Sequence, residues 1–137
     1  LVGSEMCIRD SALAVQAIDI IIEEKLVENV RKLEPLFMGG LKKFEDMEFI
    51  GEARGIGLMG ALEMVQDKKT KKPFDGHMNM GERVANKAIE KGLICRPLGP
   101  SIVLCPPFIT TTEQIDFMYN TLEETLKEVF NEIKVSN

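Results

Sequence analysis

In 137 residues the chain has no tryptophan, one tyrosine, one histidine and three cysteines, and each scarcity excludes something. His77 sits in a polar stretch with no partner at ligand spacing, which argues against a metal site or a general base there. An odd number of cysteines without metal-ligand spacing indicates neither a disulfide framework nor a zinc site. Reduced thiols fit a cytoplasmic protein. No apolar run approaches the ~20 residues that a membrane span needs. Cations are outnumbered, 17 Lys and Arg against 22 Asp and Glu for a net charge of -5, so a nucleic-acid or anionic-membrane surface is not indicated. The one basic cluster, Lys68-Lys69-Thr70-Lys71-Lys72 ahead of Pro73, reads as a solvated loop.

What remains is an ordinary soluble composition, 45% hydrophobic and 28% charged. A chain of this length suits one domain that buries around two thirds of the surface its unfolded form exposes. Helical spacing begins at Ala12 with Leu13, Ala17, Ile20 and Ile21, and Glu23-Glu24-Lys25 ends or bends that helix. A second stripe, Leu26, Val30, Leu33, Phe37, Leu41 and Phe44, defines a long helix, with a kink or break expected near residues 31 to 35 because Pro35 removes a hydrogen bond. Asn79 with Glu82 reads as the start of a third helix, striped by Met80, Val84, Ala88 and Ile89 and stopped by Gly92 in left-handed geometry. Thr111 and Gln114 offer a capping box for the last helix, whose stripe is Ile115, Met118, Leu122, Leu126, Val129 and Ile133.

Between these helices lie two strand pairs. Gly55-Ile-Gly57-Leu-Met-Gly60 matches G-x-G-x-x-G, but too little chain follows for a phosphate-binding helix. The segment reads instead as antiparallel strands at roughly 48–54 and 57–65, the glycines permitting a tight turn or bulge. Leu93 to Cys95 and Ile102 to Cys105 form a hairpin around Leu98-Gly99-Pro100-Ser101, closed by Pro106-Pro107. With the turn centred on Gly99-Pro100, Cys95 faces Leu104 and Cys105 faces Ile94, which puts the two thiols on opposite faces. The order α, α, β, β, α, β, β, α specifies a two-layer α+β domain, its mostly antiparallel sheet packed against helices.

Arg96 is the one cation inside the hairpin. Next to Pro97 it occupies a half-exposed strand end, where its planar fork of donors suits a carboxylate or a phosphate. By spacing alone such an arginine is a solvated or structural charge.

Gly92-Leu-Ile-Cys-Arg-Pro-Leu-Gly-Pro-Ser-Ile-Val-Leu-Cys-Pro-Pro-Phe-Ile109 resembles the C-terminal part of class III pyridoxal-phosphate aminotransferases, particularly the amine or ω-amino acid:pyruvate transaminases. Arg54-Gly-Ile-Gly-Leu-Met-Gly-Ala-Leu-Glu63 resembles a second motif of that family in the same order. The resemblance runs from about residue 12 to about residue 133. It implies the small domain of a fold-type I pyridoxal-phosphate transferase, residues 12–137, incomplete without a large domain that carries the Schiff-base lysine and the acidic partner of the pyridinium. No lysine here matches that position, so the resemblance implies no catalytic and no cofactor-binding residue in this chain. Arg96 aligns with the substrate-carboxylate arginine, expected to hold pyruvate, alanine or an ω-amino acid and to swing aside for a neutral amine. Met59 and Pro106 border the same surface, while Arg54 and Glu63 are expected to be structural. The resemblance also implies a homodimer, or a tetramer built from dimers.

Leu1 to Ser11 shows no sustained period and does not match the family pattern. It reads as a joined-on linker or assembly artefact ahead of a missing N-terminal portion, or as a short native tail. Two rival readings of the whole chain stay open on composition and element order: a free-standing module in which Arg96 holds a small anion, and a structural dimerisation domain.

Overall fold

The structure is a computed structural model that describes the backbone of residues 2–136 and the side chains of residues 7–135. Four helices and four strands follow in chain order: α1 (Val2–Glu23), α2 (Leu26–Lys43), β1 (Ile50–Ile56), β2 (Met59–Met64), α3 (Met80–Glu90), β3 (Arg96–Leu98), β4 (Ser101–Leu104) and α4 (Thr112–Ser136). The sheet is antiparallel with strand order β1-β2-β4-β3, so β1 and β3 are its edges. Helices cover one face of it, as the two-layer α+β reading expects.

The core lies between that sheet face and the helices. Leu33, Phe37 and Leu41 from α2, Val84 and Ala88 from α3, and Ile115, Leu122 and Leu126 from α4 pack on Ala53, Leu62, Met64, Ile102 and Leu104. Every residue of the expected α4 stripe is buried, and the capping box forms: Gln114 N–H donates to Thr111 Oγ1 (3.4 Å) and Thr111 N–H to Gln114 Oε1 (3.0 Å). Gly40 on α2 approaches α4 so closely that a Cβ there would overlap the Tyr119 ring. Tyr119 completes the contact by donating its hydroxyl to the Phe37 carbonyl at 2.5 Å.

Five expectations are corrected. Helix α2 is continuous through Pro35, so of the expected kink or break the break does not occur. The stripe of Leu33, Phe37 and Leu41 is buried on both sides of the proline, and this packing outweighs the roughly 3 kcal/mol that an interior proline costs. Asn79 makes no side-chain cap; its backbone is left-handed (φ 45°), closing the 3-10 turn Gly76–Met78 before α3 begins. On α3, Ala85 takes the buried place expected for Ile89, which is exposed. Helix α1 starts at Val2 instead of Ala12, and Cys7 to Ile20 are exposed along it. The side chains of residues 1–6, part of the segment read as a joined-on stretch or tail, lie outside the described residues.

The fifth correction concerns the hairpin. Its first strand is Arg96–Leu98, and Leu93 to Cys95 pair with no strand among the described residues. Cys105 leads into Pro106-Pro107, which have no N–H to offer, so β4 ends at Leu104 and the ladder stops with it. The pairs Arg96↔Val103, Pro97↔Ile102 and Leu98↔Ser101 leave Gly99 and Pro100 as the turn, with Gly99 at φ 57°. Both cysteines lie outside that ladder, and Cys95 is buried while Cys105 is exposed, in keeping with thiols on opposite faces.

Carboxylates seal the outer side of β1. Glu45 accepts the Ala53 N–H (3.0 Å), and Glu34, reaching across from α2, accepts the Gly57 N–H (2.8 Å) in the β1–β2 turn.

Candidate functional site

In an antiparallel ladder, directly paired residues project from the same face. The pairs Arg54↔Ala61, Ala61↔Val103 and Val103↔Arg96 therefore set one row across the whole sheet, on the face that the helices leave bare. Two small apolar side chains form the middle of this row and an arginine stands at each end. Three strand spacings separate those ends, about 14 Å.

The two arginines differ in what they meet. Arg54 lies 2.7 Å from Glu63 and 3.3 Å from Glu52, and the hydrogen bond with Glu63 holds its guanidinium above the usual arginine range. It is a held charge. The Arg96 side chain, on an edge strand and exposed, has no hydrogen bond and no ion pair among the described residues. Its five donors are available to an anion.

Between the segment leading into β3, the chain that follows β4 and the start of α4 lies an apolar groove of about 410 Å³, walled by Leu93, Ile94, Leu104, Pro106, Ile109 and Phe117; Arg96 does not line it. Pro106 is thus part of the groove lining, and Met59 stands exposed at the start of β2 on the same face as Arg96. Ile94, 86% exposed, and Phe117, 53% exposed, were not marked by the sequence as surface residues. Alternation could have revealed Ile94, since it lies between inward-facing Leu93 and Cys95. Burial pushes the Cys95 thiol above its ordinary pKa, so it is not poised as a nucleophile.

The other residues considered lie elsewhere. His77 sits exposed in the 3-10 turn before α3, and no cluster of potential metal ligands occurs among the described residues. None of the described lysines is buried. Lys42, Lys87, Lys91, Lys127 and Lys134 are ion-paired on the surface. Of the described residues, no helix is long and apolar enough to cross a membrane.

Comparison with known proteins sets these features in a family. The pattern of the family "Aminotransferase class-III" matches residues 9–126. Among curated proteins, the adenosylmethionine-8-amino-7-oxononanoate aminotransferase of Methanocaldococcus jannaschii is 37% identical over 84% of the chain, which spans 25% of that protein. Among solved structures, the aminotransferase of Vibrio fluvialis in its PMP-bound form is 54% identical, with a TM-score of 0.86 over 88% of this chain and 27% of its own. An ω-aminotransferase from Paracoccus denitrificans is 56% identical, with a TM-score of 0.87 over 89% of this chain and 27% of its own. The chain thus spans about a quarter of the length of the relatives it matches.

Proposed function

The chain belongs to the class-III aminotransferases, and from that premise we propose that it is the C-terminal small-domain part of a transaminase. The enzyme moves an amino group between an amine or ω-amino acid and a keto acid such as pyruvate. The group that carries this chemistry is pyridoxal phosphate, present in PLP- and PMP-bound forms of related structures, and it supplies an electron sink while a lysine holds it. The side chains present here do not fit that group. A Schiff-base lysine needs a desolvated pocket with an acid facing the pyridinium, whereas every described lysine is at least partly exposed. In this reading the chain alone does not turn over substrate, and its part is to close one wall of the site.

The observation that carries the reading is Arg96, its side chain exposed and without an ion pair among the described residues, on the bare sheet face in one row with Val103 and Ala61. Its guanidinium binds the carboxylate of the keto acid in a fork of charge-assisted hydrogen bonds, and the apolar surroundings reduce competition from water. An amine without a carboxylate leaves the arginine no partner, and the side chain swings out to solvent. The working enzyme is a homodimer, or a tetramer of dimers, in the cytoplasm. Free rather than bridged cysteines support that compartment.

The test is made in the full-length enzyme that carries this chain. Arg96→Ala lowers kcat/KM for pyruvate by on the order of 3–5 kcal/mol and leaves the half-reaction of a simple amine almost unchanged. Equal losses for both substrates sink the carboxylate role. Tight pyruvate binding by the 137-residue chain alone would point instead to a free-standing anion-binding module.

A further inference from the structure

Gly39 and Gly40 are neighbours in the interior of α2, where only proline is a poorer helix former than glycine. The Tyr119 ring accounts for Gly40, since a Cβ there would overlap it. Packing does not account for Gly39, because no atom of the chain comes within 4 Å of an added Cβ. Over it lies a cavity of about 660 Å³, set between α2, the 3-10 turn Phe44–Asp46 and α4. Helix α2 turns Leu33, Phe37 and Leu41 to the core, and Pro35, Leu36 and Gly39 to this hollow. Phe44, Met47 and Tyr119 complete its apolar lining.

The rim is charged, and unevenly. Glu123 and Lys127 are paired with each other. The side chains of Asp46, Asp116 and Lys43 have no hydrogen bond and no ion pair among the described residues. Three carboxylates against two ammonium groups leave one net negative charge around an apolar space. A hollow of this volume, apolar inside with a few polar groups at its mouth, has the make-up of a small-molecule site.

We propose that this cavity binds a small organic amine, a primary ammonium group carried on a compact apolar body. The body occupies the space over Gly39, which any side chain at that position would fill. The ammonium group, with three donors and no acceptor, goes to the rim carboxylates left unpaired, Asp46 and Asp116. An anion of the same shape meets the net negative charge and is repelled. A neutral molecule gains the apolar contact alone. A metal ion does not suit the place, since no cluster of three potential ligands occurs among the described residues. None of Arg54, Ala61, Val103 and Arg96 lines the cavity, so the proposal stands apart from the carboxylate role of Arg96.

The experiment titrates the full 137-residue chain, isotope-labelled, with cyclohexylethylamine at neutral pH and follows the backbone amide signals of Gly39 and Gly40. Cyclohexylethanol and cyclohexylpropionate serve as the neutral and the anionic counterparts. The amine is expected to shift both signals saturably, with the alcohol at least fivefold weaker and the carboxylate weaker still. Gly39→Leu fills the cavity without meeting an atom at its Cβ, and weakens the amine at least tenfold. Asp46→Asn combined with Asp116→Asn, both at exposed positions, brings the amine down to the affinity of the alcohol. The remaining amide signals check that each variant keeps its fold. Arg96→Ala leaves amine binding unchanged. The absence of a saturable shift at Gly39 and Gly40 overturns the proposal, as does equal affinity for amine, alcohol and carboxylate. So does amine binding that survives Gly39→Leu, the double asparagine variant, or both.

Discussion

Gly40 and Tyr119 are in contact across α2 and α4, with the backbone of one against the ring face of the other. The ring is also wedged between Phe37 and Phe44, each with its centroid 5.7 Å away, so it cannot retreat. Gly40→Ala is therefore expected to cost about 1–3 kcal/mol through overpacking. Gly39→Ala, one residue earlier with nothing within 4 Å of the new methyl, removes a helix-interior glycine and gains up to about 1 kcal/mol. Urea unfolding of the two variants reads the difference. Equal effects would mean that helix propensity and not the ring contact governs position 40.

Burial pushes the Tyr119 phenol well above its ordinary value. Because the chain has one tyrosine and no tryptophan, phenolate absorbance reports this residue alone. In the denatured chain it titrates near pH 10, whereas the folded chain keeps the proton well beyond that. The folded state then binds more protons than the unfolded one, so the contribution is complete below about pH 10 and is lost as pH rises. Tyr119→Phe flattens stability across that alkaline range. It also forfeits the bond to the Phe37 carbonyl, at a cost of about 1 kcal/mol at neutral pH.

Helices α3 and α4 are laced by a ladder of charge. Lys87 reaches Glu132 (2.5 Å) and Glu128 (3.5 Å), Lys91 reaches Glu128 (2.7 Å) and Glu124 (3.5 Å), and Arg83 reaches Glu132 (3.0 Å). Hydrogen bonds from Lys91 and Lys87 hold Glu128 and Glu132 below the ordinary carboxylate value. Lowered carboxylates stabilise above the unfolded value of about 4.3 and lose that contribution as pH falls through their folded values. Lys87→Met with Lys91→Met should thus lower the urea midpoint at pH 7. The gap from the unaltered chain should close below about pH 4 and shrink in 1 M salt. A gap indifferent to both conditions would assign the loss to the lysine stems.

The thiols divide two to one. Cys7 and Cys105 are exposed, and Cys95 is buried with its pKa raised by desolvation. A thiol reagent at pH 8 should consume two equivalents quickly and the third only on unfolding. Three fast equivalents would show that the Leu93–Cys95 segment opens readily.

Much of this was legible in the residues because it was periodic. The α4 stripe announces itself over five turns, and its capping box stands in four consecutive letters. Arg96 was singled out by its motif alone, and the register that puts it opposite Val103 followed from a two-residue turn at Gly99-Pro100. Failures fall where distant packing overrules a local rule. Pro35 breaks helices in general, but here Leu33 and Phe37 anchor the chain on either side of it. Asn79 looks like a cap because short polar side chains usually are, yet its left-handed backbone serves the turn before it. The contrast between Arg54 and Arg96 came from the family motifs and not from spacing: both are cations on strands, and it is the pairing of β1 with β2 that brings Glu63 to the first.

The carboxylates of Glu34 and Glu45 on the rim of β1 have a further effect. An open sheet edge is a template on which another strand can add, the first step towards fibrils. On β1 the N–H groups of Ala53 and, just past the strand, Gly57 are already taken by side chains that carry negative charge. On β3, three residues long, Pro97 has no N–H to give. Both margins of this sheet are thus blunted against strand addition, which lowers the tendency of a chain with bare apolar helix surface to polymerise through its strands.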